Sequence, residues 1–260
     1  MANTNLNDLL SVAMEAAYLG GRRTLAYFNT GVSVERKSDA SPVTCADRES
    51  EELIRGVIGK YYPDHTLIGE EGGALPGNPD YKWIVDPIDG TKTFIHGVPL
   101  YGVLIGVEVK GVASVGVIYL PALDEMVSAA KGLGCRWNGR PAHVSGQKSL
   151  KDAAVMASSI VGAYNRSDAF ANLAGKSLLQ RTWGDCYGYV LCATGRADVM
   201  LDAAMKVWDC AAILPVMEEA GGTFTDWTGK ATIYGDDAVA TNGHLQEEVL
   251  AILRAEKKIG

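Results

Sequence analysis

Cysteine is scarce in this sequence and unpaired in pattern. Cys45, Cys135, Cys186, Cys192 and Cys210 make an odd set without a CxxC spacing. That excludes a disulfide scaffold and reads as free thiols in a reducing compartment, the cytoplasm. No His or Cys recurs at zinc-ligand spacing, so a soft metal site is disfavoured, and His65, His96, His143 and His244 read as surface or packing residues. A Lys/Arg-rich run is missing and the formal charge is −7, which argues against a nucleic-acid or anionic-membrane partner. No apolar run approaches the roughly 20 residues that span a bilayer. The start, "MANTNLNDLL", lacks the basic-then-apolar form of a signal peptide. GxxxxGK[ST] is absent, excluding a P-loop nucleotide enzyme. There is no internal repeat and no low-complexity segment.

What is present is an ordinary globular composition over 260 residues, 47% hydrophobic and 21% charged, enough to bury a sizeable core. "NLNDLLSVAMEAAYLGGRRTLAYF" carries apolar residues at helical spacing, and "TCADRESEELIRGVIGKYYP" predicts a second helix stopped before Pro63. Between them "GVSVERKS" is β-prone. "HTLIGEEGG" is a strand running into an acidic, Gly-rich loop, and "KWIVDPIDG" is another strand. Residues 101–139 read as consecutive strands with turns at Lys110-Gly111, Leu120-Pro121 and Lys131-Gly132. Helices are expected around 167–173 and 187–195, over "WDCAAILPVMEEAGG", and over "NGHLQEEVLAILRAEKK" to residue 258. Pro215 predicts a kink or an early break. The chain is thus α/β (α+β), one unit over 1–260 with an N-terminal half, 1–138, and a C-terminal half, 139–260, that completes a site between them.

The chemistry concentrates at the ends of elements. In "WIVDPIDGTKTF" a buried-looking strand drives Asp86 and Asp89 into one tight turn, with Pro87 fixing the chain between them. Such acids either sit in a loosely solvated turn or face something positive. Glu70 and Glu71 follow a strand; taken alone they decorate a solvated loop. Asp47 and Asp209 each open a helix and, taken alone, are N-caps. Together these carboxylates suit a hard divalent cation such as Mg²⁺. Gly90 lets backbone approach a ligand, and Thr91 opens a short helix whose N–H groups favour phosphate. Divalent ions beside such a turn make a phosphate-ester site.

At these residues the sequence resembles the inositol monophosphatase-like family of Mg²⁺-dependent phosphatases. "WIVDPIDGTKTF" and "WDCAAILPVMEEAGG" look like its two signatures, and "GEEGG" and "SPVTCAD" match in the expected order. The resemblance implies a layered αβαβα sandwich, a homodimer, and two to three Mg²⁺ per site with Mn²⁺ as a substitute. It places Glu70, Asp86 and the Ile88 carbonyl on the first ion, and Asp86, Asp89 and Asp209 on the second. A weaker third ion lies nearer Glu70. Asp47 and Thr91, with Glu70, act on the attacking water, and Gly90 and Thr91 offer N–H groups to phosphate. Lys37, in "ERKSD", falls on a mobile loop that closes over the site.

Substrate is read from the second half. Asp185 and Asp202, with Asp89 and Asp209, fall where the family contacts the leaving group, and "RTWGDCYGY" with "PLYGVLIG" resembles the branch acting on L-histidinol phosphate. Carboxylates beyond the metal ligands would pair with the ammonium and imidazole of that ester. The alternative at Asp185 is a cap for a helix starting at Tyr187. Trp183, Tyr187 and Tyr189 offer rings for an imidazole, with core packing the expected use of at least two. Cys45 and Cys210 read as small packing residues. Inositol monophosphatase, or a broader sugar-phosphate phosphatase, is the alternative. A catalytically silent metal- and phosphate-binding regulatory protein is a third, disfavoured because each expected acid is present.

Overall fold

The computed structural model describes residues 5–255. Residues 1–4 and 256–260, including the last residues of the C-terminal helix expected from the sequence, lie outside the described residues. In chain order the elements are α1 (Leu6–Leu25), β1 (Val34–Arg36), β2 (Pro42–Thr44), α2 (Cys45–Tyr61), β3 (His65–Gly69), β4 (Gly73–Leu75), β5 (Asn78–Asp89) and α3 (Thr91–Ile95). Then follow β6 (Gly102–Val109), β7 (Val112–Leu120), β8 (Glu125–Ala130), β9 (Gly134–Trp137), β10 (Arg140–Pro141) and β11 (Ala154–Ala157). The chain continues through α4 (Ile160–Arg166), α5 (Ala169–Lys176), β12 (Leu179–Arg181), α6 (Asp185–Ala193) and β13 (Val199–Asp202). It ends with α7 (Val207–Glu219), β14 (Thr223–Thr225), β15 (Ala238–Thr241) and α8 (Gln246–Ala255).

An eight-stranded sheet runs β10-β9-β8-β7-β6-β5-β3-β4, and a five-stranded sheet runs β12-β11-β13-β15-β14. Strand alternation sorts their side chains into three layers of core. Trp83, Val85, Val103, Ile105 and Val117 face α1 and α2, meeting Leu9, Ala13, Ile54 and Ile58. Their alternates Ile84, Leu104 and Ile118 face α6 and α7, which also cover Met156, Met200 and Ala240 of the small sheet. The far side of that sheet, Val155, Val199 and Val239, packs on α5 and α8 through Leu173, Val249 and Leu250. Helix, sheet, helix, sheet, helix is the αβαβα layering. Each fully buried aliphatic here contributes about 1.5–3 kcal/mol of transfer free energy.

The structure corrects three sequence expectations. Helix α7 runs through Pro215 without ending. A Cβ on Gly116 of β7 would meet the Ala212 carbonyl and come within 2.9 Å of the Pro215 ring. The pyrrolidine therefore fills space that β7 leaves open, so packing holds the helix through a residue that breaks isolated ones. Second, the tight turn expected at Asp86 and Asp89 is a bulged strand end: β5 includes both, and its register against β6 shifts between them. Third, Cys45 is exposed at the start of α2 rather than packed, whereas Cys210 is buried; none of the five thiols is paired. His65 does pack, stacked between Tyr62 and Tyr81 and accepting a bond from the Trp83 indole. Among the described residues, no helix is long and apolar enough to cross a membrane.

Candidate active site

Three parts of the fold meet at the carboxyl end of β5. The strand is buried from Trp83 to Ile88, and Asp86 is 2% exposed. The bulge that follows turns Asp86 and Asp89 toward the same side. The Ile88 N–H donates to Asp86 Oδ1 at 3.0 Å, which pins the first carboxylate against its own turn. Asp209 arrives from α7. One oxygen from each of Asp86, Asp89 and Asp209 lies within 4.8 Å of the others.

Both helix-opening aspartates lie one turn further in than expected. The N-cap of α2 is Thr44, and Asp47 at the third helical position reaches back to accept from the Thr44 N–H (2.8 Å) and hydroxyl (2.7 Å). Asp209 likewise stands at the third position of α7 and accepts from the Lys206 N–H at 2.7 Å. This reciprocal geometry leaves a second carboxylate oxygen on each free to face the site. Asp47 Oδ1 uses it to accept from Thr91 Oγ1 at 3.4 Å, and the same hydroxyl lies 3.1 Å from the Ile88 carbonyl. Gly90, at φ 81°, opens α3 in the left-handed region that a side chain would strain. A Cβ there would also lie 2.8 Å from Asp185 Oδ2.

The electrostatics of this cluster are those of an anionic pocket. Burial pushes the Asp86 carboxyl well above the usual range, and neighbouring Glu70, Asp89 and Asp209 push it further. Asp89 is raised for the same reasons, burial first and then Asp185 and Asp209. Asp209 is pushed up to about 7, mainly by burial, and burial also raises Asp47. Buried carboxylates that crowd one another in this way are stable as anions only beside a positive charge. One is present at the edge: Lys37, in the turn joining β1 to β2, places its Nζ 2.7 Å from Glu70 Oε1 and 2.5 Å from Glu71 Oε1. Burial works against that ammonium, but its bonds to the two glutamates outweigh it and raise its pKa. An all-oxygen donor set with a cation standing at its rim fits a hard divalent ion and no soft one.

A solvent-open cleft of about 110 Å³ continues from Asp89 and Asp209 toward the small sheet. Its wall holds Asp185 and Asp202. Asp185 does not cap a helix beginning at Tyr187; it is itself the first residue of α6, at φ 52°. Its N–H donates to Ser158 Oγ at 2.7 Å, and its Oδ2 accepts from Thr93 Oγ1 at 2.8 Å. A non-glycine residue held in the left-handed region needs such bracing. Asp202, at the end of β13, accepts from the Tyr189 hydroxyl (2.9 Å) and the Ser158 N–H (3.2 Å), and burial pushes it up to about 7. The N–H of Cys186 donates to Asp89 Oδ2 at 2.5 Å, tying the wall to the acidic turn.

Of the aromatic residues singled out in the sequence, Tyr189 is buried with its hydroxyl on Asp202 and Trp183 is exposed. Tyr187 is partly buried and lies under the Arg196 guanidinium. Sequence reading missed Ser158 and Thr93. Thr93 stood inside a signature already recognised, but Ser158 has no local signal: it matters because β11 ends beside α6 and β13.

The model of the inositol monophosphatase family matches residues 5–258. The chain is 42% identical over 248 residues to a histidinol-phosphatase of Chlorobaculum parvum, covering 94% of this chain and 96% of that one. It is 35% identical over 265 residues to a fructose-1,6-bisphosphatase/inositol-1-monophosphatase of Aquifex aeolicus, covering 96% and 97%. Among solved structures, the extragenic suppressor protein suhB of Bartonella henselae superposes with a TM-score of 0.89 at 29% identity, over 95% of this chain and 98% of the other. Signatures, layering and acidic pocket agree with these matches, and the chain belongs to the inositol monophosphatase family of phosphatases.

Proposed function

We propose that this protein hydrolyses L-histidinol phosphate to L-histidinol and phosphate, with Mg²⁺ held by Glu70, Asp86, Asp89, Asp209 and the Ile88 carbonyl. Mn²⁺ would be the substitute, and two to three ions would serve each site. When bound, such ions neutralise phosphate oxygens and make water a nucleophile near neutral pH. The chain's own residues do the positioning that phosphoryl transfer chiefly requires. Asp47, fixed by Thr44 and facing the Thr91 hydroxyl, accepts the proton of an attacking water. The N–H groups of Gly90 and Thr91 face a phosphate oxygen from the start of α3. Lys37 moves with the β1–β2 turn to close the site.

The observation that carries the substrate is Asp185. A carboxylate braced at φ 52° by Ser158 and Thr93, in the leaving-group cleft but outside the metal set, suits a cationic leaving group. Asp202 supplies a second acceptor, and Asp89 and Asp209 border the same cleft. A charge-assisted bond from each to an ammonium or imidazolium is worth about 1.5–3 kcal/mol. The identity to a histidinol-phosphatase points the same way. A neutral polyol phosphate is the second reading, favoured by the similarity to an inositol and fructose phosphatase. A homodimer acting in the cytoplasm is part of the proposal.

Phosphate release with Mg²⁺ from histidinol phosphate, inositol 1-phosphate and fructose 1,6-bisphosphate tests this. We expect kcat/KM for histidinol phosphate at least about tenfold above the others, the discrimination of one charge-assisted bond. Equal rates on all three would discard the substrate and leave the phosphatase.

A further inference from the structure

The acidic loop "GEEGG" owes its shape to a residue that neither signature contains. Glu51 lies one turn after Asp47 on the same face of α2, and it is 2% exposed. Its Oε2 accepts from the Glu71 N–H at 2.7 Å, and its Oε1 accepts from the Gly72 N–H at 2.8 Å and from Arg55 Nε at 2.7 Å. Arg55 then donates to the Gly73 carbonyl at 2.5 Å. The Glu51–Arg55 pair therefore takes three backbone groups in succession from the loop between β3 and β4. A mere partner for Arg55 would need one oxygen; here both are committed to the loop. A Cβ at position 72 would come within 2.7 Å of Glu51 Oε1 and 2.9 Å of Arg55 Nε, so a side chain there would displace this contact.

With its amides held by Glu51, the loop presents the side chains of Glu70 and Glu71 to Lys37. Helix α2 thus orders the site in two places: Asp47 bonds Thr91, and Glu51 bonds the loop that carries Glu70. We propose that Glu51 is a positioning residue for cation binding, fixing the Glu70 carboxylate so that a divalent ion meets an already ordered donor. This rests on the reading of Glu70 as a metal ligand. Outer groups that orient ligands in this way change metal affinity about 10- to 100-fold when replaced.

The test is Mg²⁺ binding to the full chain without substrate, by titration calorimetry, for wild type, Glu51→Gln, Gly72→Ala and Ile58→Val. Glutamine keeps the shape but turns a donor toward one of the two amides. Alanine at 72 displaces the carboxylate without altering it, and it serves if Glu51→Gln does not fold. Ile58 is a core residue of the same helix, far from the chemistry, and its truncation lowers Tm by about 2–4 °C. We expect the Mg²⁺ dissociation constant to rise about tenfold or more in the two loop variants and to stay put in Ile58→Val. Faster amide exchange over residues 69–75 in Glu51→Gln should accompany it. A lowered Tm in the loop variants with an unchanged dissociation constant would overturn the proposal, leaving Glu51 a structural contact. Absence of Mg²⁺ uptake by wild type would overturn the metal reading beneath it.

Discussion

The two walls of the active-site cleft are built in opposite ways. The wall from the first half is local: Asp86, Ile88, Asp89, Gly90 and Thr91 lie within six residues, and one β-bulge and one left-handed glycine aim them. The wall from the second half is assembled at long range. Asp185 is braced by Thr93, 92 residues away, and Asp202 by the Ser158 N–H, 44 residues away. Under the proposed function the local wall supplies charge neutralisation, which every phosphate ester needs. The distant wall would then recognise the leaving group, which differs between esters. Relatives can therefore share the first wall while acting on different substrates, as the names of the similar proteins indicate.

The comparison can be broken by substitution. The largest effect is expected from Asp89→Asn, which alters the shared wall. Phosphate release should fall on the order of a thousandfold, and by a similar factor on histidinol, inositol and fructose phosphates. A loss confined to one ester would mean that Asp89 recognises the leaving group more than it serves the metal. Asp185→Asn should come next. We expect a roughly ten- to a hundredfold fall in kcat/KM for histidinol phosphate, with less than about threefold change for inositol 1-phosphate. Equal losses on both would return Asp185 to a purely structural role.

The smallest effect concerns stability. Burial raises the Asp202 pKa in the fold to about 7, against the ordinary 3.8 of an unfolded chain. Between those values the folded protein binds more protons than the unfolded one, so the stability tied to protonated Asp202 is complete below about pH 4. It is lost as pH rises through about 7. In the absence of divalent ions, Tm should therefore decline across that window, and Asp202→Asn should flatten the decline. An unchanged slope in the variant would assign it to Asp86, Asp89 and Asp209 instead, and Mg²⁺ would then be expected to remove it.

Much of this was legible beforehand because it is local. The buried apolar strand in "WIVDP", the turn residues at Lys110-Gly111 and Lys131-Gly132, and the amphipathic helices follow from neighbours in the chain. Pro215 misled because the space opposite it belongs to Gly116, a hundred residues earlier. Asp47 and Asp209 looked like N-caps because composition marks a helix start to within a few residues. Only the backbone distinguishes the cap from the third position, where an oxygen is left for the site.

By itself the sequence determined which side chains carry charge, which strand is buried, and where a glycine lets the backbone approach a ligand. Those properties depend on residue type and near neighbours. Tertiary structure alone decided that Lys37 meets Glu70, that Glu51 grips the loop beneath it, and that Thr93 and Ser158 hold Asp185 toward the cleft. Each of those is a hydrogen bond between elements brought together by burial of apolar layers. The energy that aligns those elements comes from residues such as Ile84, Leu104 and Ala212, which take no part in the chemistry.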